Sequence, residues 1–201
     1  REYKIVTLSE NELTLRYVDA ADETTAWYLR LVPVDFPVDG GGGGGGGDDP
    51  TFGEGELPMT FESVEPLWES FGNSSYEYIA NPDPSGINTS SRVLQTVHGN
   101  ETWAGLFVDL KEHLDFTSGG ATITLKVWAP VTGVLRIKLE NIDKTSEFIE
   151  KDVDITAAEA WTEVSIDFSE AELTKYARLV LFPGWDVADA GTFYIDEIEQ
   201  K

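Results

Sequence analysis

The side chains in this chain best suited to contact a ligand are its tryptophans. Five of the six follow a run of eight glycines: Trp68, Trp103, Trp128, Trp161 and Trp185. A flat indole ring stacks on the apolar face of a sugar, so an exposed tryptophan on a rigid scaffold suits glycan recognition. A buried tryptophan only fills a core, so its place in the strand pattern decides between the two interpretations.

Trp185 and Trp103 are predicted to lie on loops. Trp185 follows a Phe-Pro-Gly turn at the end of a β-rich run, where binding residues concentrate. Trp103 lies between a polar stretch that begins at His98 and an Ala-Gly pair whose small side chains leave its ring uncovered. We expect both rings to contact a glycan, with His98 as a hydrogen-bonding neighbour. Core packing is the alternative for Trp103 and His98.

Trp128 ends a run in which every second residue is apolar, so alternation places its ring on the opposite face, beside Lys126. On that polar face it is predicted either to bind a glycan or to pack as an ordinary surface aromatic. The apolar residues of the Trp128 strand are Ile123, Leu125 and Val127.

Trp68 and Trp161, by contrast, are predicted to be structural.

Arg136, Lys138 and Glu140 occupy alternate positions of one predicted strand, so they share its non-core face. Two donors and an acceptor placed side by side are able to hydrogen-bond sugar hydroxyls. The alternative is that they form cross-strand ion pairs on a solvated face.

The composition narrows the classes of ligand and of chemistry. Among 201 residues, 37 are acidic and 14 are basic, which gives a net charge of −23 and argues against nucleic acid or anionic lipid as a partner. The absence of cysteine excludes disulfides and thiolate metal sites. No catalytic motif of a hydrolase, metalloprotease or nucleotidase is present, so we do not predict an enzyme.

The glycine run divides the chain into three predicted parts. Residues 1–35 contain three β-rich stretches and are interpreted as the last strands of a truncated upstream β-domain; their addition to the main sheet is the alternative. Residues 36–56 include eight consecutive glycines and are predicted to be a flexible linker rather than a phosphate-binding loop, because acidic residues follow them. Residues 57–201 are predicted to be one complete domain.

That domain is predicted to be all-β. Eleven β-rich runs, the first at residues 59–64, alternate with turn clusters, and only residues 157–160 and 169–175 suggest brief helices. Many short strands without long helical patterns indicate an antiparallel β-sandwich, and we favour a jelly roll. No membrane-spanning stretch occurs, so no direct membrane insertion is expected.

Five short stretches of the domain, in this order, resemble a β-jelly-roll carbohydrate-binding module common in glycan-utilisation proteins of Bacteroidetes. They are residues 57–63, 81–90, 103–105, 138–141 and 192–198. Such modules are similar in plan to binding-module families 4, 16 and 22, and they occur in secreted glycoside hydrolases and surface glycan-binding proteins.

The resemblance implies a non-catalytic module that binds a polysaccharide. Its ligand would be neutral, with laminarin-type β-1,3-glucan as the leading expectation because the chain is so acidic. By the same resemblance, Glu62 and Asp196 would be ligands of the structural calcium ion that such families carry. The resemblance further implies a monomeric module of a larger multidomain chain at the bacterial outer-membrane surface, its signal or anchor upstream. A structural or adhesion domain that binds no sugar is the alternative.

Overall fold

The computed structural model describes the backbone of three N-terminal strands and, with side chains, residues 55–116, 120–172 and 175–201. The chain divides into two compact units, residues 1–47 and 48–201. The glycine run at residues 40–47, on which the linker prediction depends, lies outside the described residues. The three-part division of the chain therefore stays a prediction.

The first unit contains an antiparallel sheet of three strands in the order β1-β2-β3. They are β1 (Tyr3–Ser9), β2 (Glu12–Asp19) and β3 (Asp22–Leu31). Successive strands pair with their neighbours in sequence, which is the meander that the β-rich stretches predict.

The second unit is a sandwich of two antiparallel five-stranded sheets, as predicted. The front sheet has the strand order β10-β9-β12-β7-β4, and the back sheet has the order β11-β8-β13-β6-β5. The strands are β4 (Glu69–Phe71), β5 (Ser75–Ala80), β6 (Arg92–Val97), β7 (Gly105–Asp109), β8 (Thr122–Trp128), β9 (Gly133–Glu140), β10 (Phe148–Ile155), β11 (Trp161–Asp167), β12 (Arg178–Pro183) and β13 (Thr192–Gln200).

The core lies between the two sheets and is filled by alternate residues of each strand. β8 contributes its predicted apolar set, and β9 contributes Leu135, Ile137 and Leu139, all of them buried. Trp68 and Trp161 are also buried, which confirms their structural assignment. Because the apolar positions seal the core, the outward positions of both sheets are left for solvent or a ligand.

The prediction of a strand at residues 59–64 is wrong. Met59 makes an isolated bridge with Ile198, and Phe61 then has a φ of 58°, a left-handed conformation that breaks extended pairing. Both side chains are nevertheless buried. The apolar residues of this segment therefore enter the core one at a time. In the sequence, their spacing looks like the alternation of a β-strand.

The brief helices predicted at residues 157–160 and 169–175 are not found in the described parts of those segments. Glu159 has a φ of 53°, and its N–H donates to the carbonyl of Ala129, the residue that follows β8. The segment after Phe168 makes a single turn, closed by the N–H of Ala171. No helix of the described residues has the length and apolar character to cross a membrane.

A core substitution should test this arrangement. We expect Leu139→Ala, at a fully buried position of β9, to lower the free energy of unfolding by about 2–5 kcal/mol, since it removes apolar contacts and leaves a cavity. Val131→Ala, in an exposed turn, should change it by less than about 0.5 kcal/mol. Urea unfolding of the whole chain followed by tryptophan fluorescence measures both; equal losses would contradict the assigned core.

Candidate functional site

The outward face of the front sheet, here the front face, gathers aromatic and charged side chains from five strands. Phe182 on β12 lies opposite Arg136 on β9, which lies opposite Asp152 on β10. Across the sheet, Phe71 on β4 lies opposite Gly105 on β7. A Cβ at Gly105 would stand 2.9 Å from the Cζ of Phe71, so the bare backbone there allows the Phe71 ring to lie against β7.

Four aromatic rings form a continuous array on this face: Trp103, Phe71, Phe182 and Trp185. Trp103 stacks on Phe71 with centroids 6.1 Å apart and planes 10° apart. Phe71 meets Phe182 edge-on at 5.4 Å, and Phe182 meets Trp185 edge-on at 5.1 Å. Trp103 is 49% exposed and Trp185 is half-buried. The array therefore offers apolar ring surface to a ligand at its Trp103 end.

Two loops at one end of the sandwich hold Trp103 and Trp185, and backbone hydrogen bonds join them. The N–H of Asp186 donates to Thr102 O at 3.0 Å, and the N–H of Asp189 donates to Gly99 O at 2.9 Å. The N–H of His98 donates to Gly191 O at 2.9 Å. Each tryptophan is thus next to a residue that bonds the other loop, which fixes the two rings relative to each other.

Arg136 connects the aromatic array to the charged part of the face. Its guanidinium lies 3.9 Å from the centroid of the Trp185 ring. It donates twice to Asp152, at 2.6 and 2.9 Å, and once to Glu150 at 3.0 Å. The hydrogen bonds to Asp152 raise the pKa of Arg136 and lower the pKa of Asp152.

The other two cations of the face are held in the same manner. Lys138 lies 4.0 Å from the centroid of the Phe148 ring and 2.6 Å from the carboxylate of Glu140. Arg178 donates twice to Asp109, at 2.5 and 3.0 Å, and these bonds raise its pKa. It also lies over the Phe107 ring at 4.1 Å and 3.6 Å from Glu140.

Each of the three cations of the front face is therefore neutralised by a carboxylate. The three cations pair with four carboxylates, namely Asp109, Glu140, Glu150 and Asp152. Register places two further carboxylates on this face, Glu69 of β4 and Asp154 of β10. Such a face offers many hydrogen-bond donors and acceptors without an excess of positive charge. It suits a ligand rich in hydroxyl groups and repels an anionic one.

The front face holds five of the seven side chains predicted to bind a glycan: Trp103, Trp185, Arg136, Lys138 and Glu140. Both alternatives weighed for the Arg136 strand are present together, since its residues share the outward face and form cross-strand ion pairs. Glu140 is only 9% exposed because Lys138 and Arg178 cover it. A ligand would therefore reach it through those two cations.

Trp128 does not belong to this site. It lies on the outward face of the back sheet, opposite Tyr194 of β13, and the whole core separates it from the front face. Trp128 therefore lies on a different surface from Arg136, Lys138 and Glu140. Alternation along β8 places Trp128 outward but does not say which of the two sheets β8 joins.

His98 is buried, with 5% of its surface exposed, so the structure favours the core-packing alternative for this residue. Its Nδ1 lies 2.8 Å from Gly99 O and 3.4 Å from the backbone N of Ala190, and its Nε2 is buried without a hydrogen-bond partner among the described residues. Burial lowers its pKa. His98 thus lies beneath the two loops that carry the tryptophans.

Sequence reasoning missed much of the front face. The missed residues are Phe71, Phe107, Asp109, Phe148, Glu150, Asp152, Arg178 and Phe182. Every residue of β12 after Arg178 is apolar, so alternation gave no reason to choose Phe182 as outward. β10 did carry a usable signal, because acidic residues alternate with apolar ones along most of it.

The two residues expected to hold calcium lie on either side of one segment, residues 88–92. Asp196 is fully buried and accepts hydrogen bonds from Asn88 Nδ2 at 2.9 Å and its neighbour's N–H at 2.8 Å; burial raises its pKa. Glu62 accepts from the N–H of Ser91 at 2.7 Å and from the Ser91 hydroxyl, and these bonds lower its pKa.

Their chemistry fits Ca²⁺, which prefers oxygen ligands, and a buried carboxylate favours a nearby cation. Two carboxylates supply only part of the six to eight oxygens that the ion takes. The described residues contain no group of three or more acidic or histidine side chains placed to share a metal.

No family model and no curated protein matches the chain. The similar solved structures include several carbohydrate-binding modules. The family 11 module of the cellulosomal cellulase Lic26A-Cel5E of Clostridium thermocellum has a TM-score of 0.52 and 14% identity, over 73% of this chain and 94% of that one. The Clostridium thermocellum family 11 module in complex with a β-1,3-1,4-mixed-linked tetrasaccharide also has a TM-score of 0.52, with 13% identity over 71% and 94% of the two chains.

The CBM22-2 xylan-binding domain from Paenibacillus barcinonensis Xyn10C is 23% identical over 71% of this chain and 98% of its own, with a TM-score of 0.47. Because the two family 11 structures are only 14% and 13% identical to this chain, the similarity to them shows a shared fold and nothing more specific. The predicted resemblance to a β-jelly-roll carbohydrate-binding module is confirmed at that level: the second unit has the β-sandwich fold of such modules.

Proposed function

We propose that the second unit binds a neutral polysaccharide on its front face and is not itself an enzyme. The observation that carries this proposal is the aromatic array from Trp103 to Trp185, flanked by three cations that are all ion-paired. The rings stack on sugar faces, while the paired side chains hydrogen-bond hydroxyl groups. The shared fold with carbohydrate-binding modules supports the same conclusion.

Laminarin-type β-1,3-glucan is the ligand that we propose first. It carries no charge, which suits a face whose carboxylates outnumber its three cations and a chain of net charge −23. One neighbouring structure holds a β-1,3-1,4-mixed-linked tetrasaccharide, another neutral glucan. Alginate or a sulfated glycan would be repelled.

The state of the carboxylates argues against glycoside hydrolysis on this face. A glycosidase needs one carboxyl group with a raised pKa as its general acid. Asp152, by contrast, accepts two hydrogen bonds from Arg136, which lower its pKa, and Asp109 accepts two from Arg178.

We infer a binding module that acts as a monomer within a multidomain chain, outside the cell at the bacterial outer-membrane surface.

Removal of one ring should weaken binding. We expect Trp185→Ala to lower the affinity for laminarihexaose at least about tenfold, equivalent to about 1.4 kcal/mol, because the variant loses a stacking ring and the surface on which Arg136 lies. Isothermal titration calorimetry measures the change, with Val131→Ala as the control at an exposed turn.

An unchanged affinity in Trp185→Ala would refute the site. Native affinity electrophoresis against laminarin, xylan, mixed-linked glucan and alginate tests the function itself. Retardation by a neutral glycan and not by alginate is expected. Retardation by none of the four would favour a structural or adhesion domain, and release of reducing sugar would reveal an enzyme.

We also propose that His98 is a positioning residue for the two tryptophan loops. Its folded-state pKa lies below 6.5, whereas in the unfolded chain it lies near that value. Between those two values the unfolded state binds more protons, so stability should fall as the pH decreases from about 6.5, by at most about 1.4 kcal/mol per pH unit. If protonation of His98 displaces the two loops that carry Trp103 and Trp185, laminarihexaose affinity should fall over the same pH range.

The His98→Asn variant should lose this pH dependence between about pH 7.5 and 5.5, while His113→Asn, at an exposed position, should keep it. Urea unfolding and calorimetric titration at both pH values measure the two effects. If both variants keep the wild-type slope, His98 is not the titrating group.

We propose further that Glu62 and Asp196 hold a structural Ca²⁺. Binding to the folded state should raise the melting temperature by about 5–10 °C in Ca²⁺ at a hundred times its dissociation constant, compared with EDTA. Asp196→Asn should abolish the gain, and Mg²⁺ should not reproduce it. Equal melting temperatures of the wild type in Ca²⁺ and EDTA would contradict the site.

A further inference from the structure

A row of side chains crosses the outward face of the back sheet, here the back face. Cross-strand register places Trp161 of β11 opposite Trp128 of β8, and Trp128 opposite Tyr194 of β13. Tyr194 lies opposite Gln95 of β6, and Gln95 lies opposite Glu77 of β5. These five residues are called the back row. It contains three aromatic groups, an amide and a carboxylate, in that order across the sheet.

The aromatic part of the back row is partly held in place. Trp161 is buried, and its indole N–H donates to Asp83 O at 2.8 Å. Trp128 and Tyr194 are half-buried, with ring centroids 5.1 Å apart and planes at 51°. The Nε1 of Trp128 is buried and has no hydrogen-bond partner among the described residues, so the accessible part of this side chain is ring carbon. Two fixed rings with solvent access therefore form a small aromatic platform.

The rows on either side of the back row differ in how they are covered. On one side, Asn88 of the segment 81–91 reaches Asp196, and Val93 is fully buried. On the other side, Val97 is 39% exposed, and Thr192 and Ser75 lie next to it in register. The back row thus borders an open strip with hydroxyl groups. From Glu77 to Trp128 it crosses four strands, about 14 Å at the usual strand spacing.

We propose that the back face is a second binding surface for a neutral glycan chain, independent of the front face. Trp128 and Tyr194 stack on sugar rings, and Gln95 and Glu77 hydrogen-bond the hydroxyl groups of the same chain. This inference rests on the proposed function of the module. The row contains no cation, so an anionic glycan does not fit it.

The composition of the strip distinguishes a glycan from a protein partner. A stable protein interface needs roughly 800 Å² of each partner, with an apolar centre. Val97 is the single strongly exposed large apolar residue among the side chains of the back row and the strip beside it. A sugar ring needs one aromatic face and adjacent polar groups, which the back row supplies.

Two glycan surfaces on opposite sheets make the module bivalent. Because the core separates the two faces, each face is able to bind its own glycan chain, and two chains are able to bind at once. Each surface alone would bind weakly, and a polysaccharide with many repeats would bind with higher avidity.

The indole N–H resonance of Trp128 tests this surface directly. The resonance is assigned in ¹H–¹⁵N spectra of the whole chain as the one lost in Trp128→Phe. The wild type and a Trp103→Ala/Trp185→Ala variant are then titrated with laminarihexaose, cellohexaose and xylohexaose. We expect at least one of these oligosaccharides to shift the Trp128 resonance in both proteins. A Trp128 resonance that moves with none of them, or only while the front face is intact, overturns the proposal.

The same titration separates failure of the two sites. In the wild type, a chemical-shift change at Trp128 without one at Trp103 or Trp185 would refute the front-face assignment alone. Shift changes at Trp103 and Trp185 without one at Trp128 would refute the second surface alone. Calorimetry adds a count: two oligosaccharides per wild-type chain are expected, and one per chain in a Glu77→Ala/Gln95→Ala variant. Glu163→Ala/Ser165→Ala, exposed on β11, is the matched control and should keep two. One oligosaccharide per wild-type chain would overturn the second surface.

Discussion

The alternation of side chains along the strands is the constraint on which the rest of the second unit depends. Burial of one face of each sheet stabilises the sandwich, so the sequence must place apolar residues at every second position. The outward positions are then free of that demand. On β9 the inward residues Leu135, Ile137 and Leu139 seal the core, and their neighbours Arg136, Lys138 and Glu140 build the front face.

On the front face, the ion pairs serve geometry more than stability. Exposed pairs contribute little to folding, about 0–1 kcal/mol each. Arg136, however, is held by Asp152 and Glu150 on one side and by the Trp185 ring on the other. A guanidinium fixed in this way leaves less conformational entropy to be lost when a sugar binds. The same reasoning applies to Arg178 between Asp109 and Phe107.

The sequence predicted the sandwich and its ten strands well, because alternation and turn residues are local signals. It missed Phe182 because every residue of β12 after Arg178 is apolar, so no period distinguishes inside from outside there. It misjudged residues 59–64 because Met59 and Phe61 enter the core singly. It did not show that Trp128 and Trp185 lie on different surfaces, because sheet membership depends on long-range pairing, which no local pattern contains. The polar context of His98 likewise gave no sign that two loops close over its ring.

That long-range pairing also gives the molecule its two outward faces. β8 and β9 are consecutive in the chain, yet β8 joins the back sheet and β9 joins the front sheet. The short turn between them therefore carries the chain from one side of the core to the other, and Trp128 and Arg136, eight residues apart, face opposite directions. Residues close in sequence serve different surfaces, whereas Trp103 and Trp185, distant in sequence, serve one. A single tryptophan substitution should consequently affect one surface and spare the other.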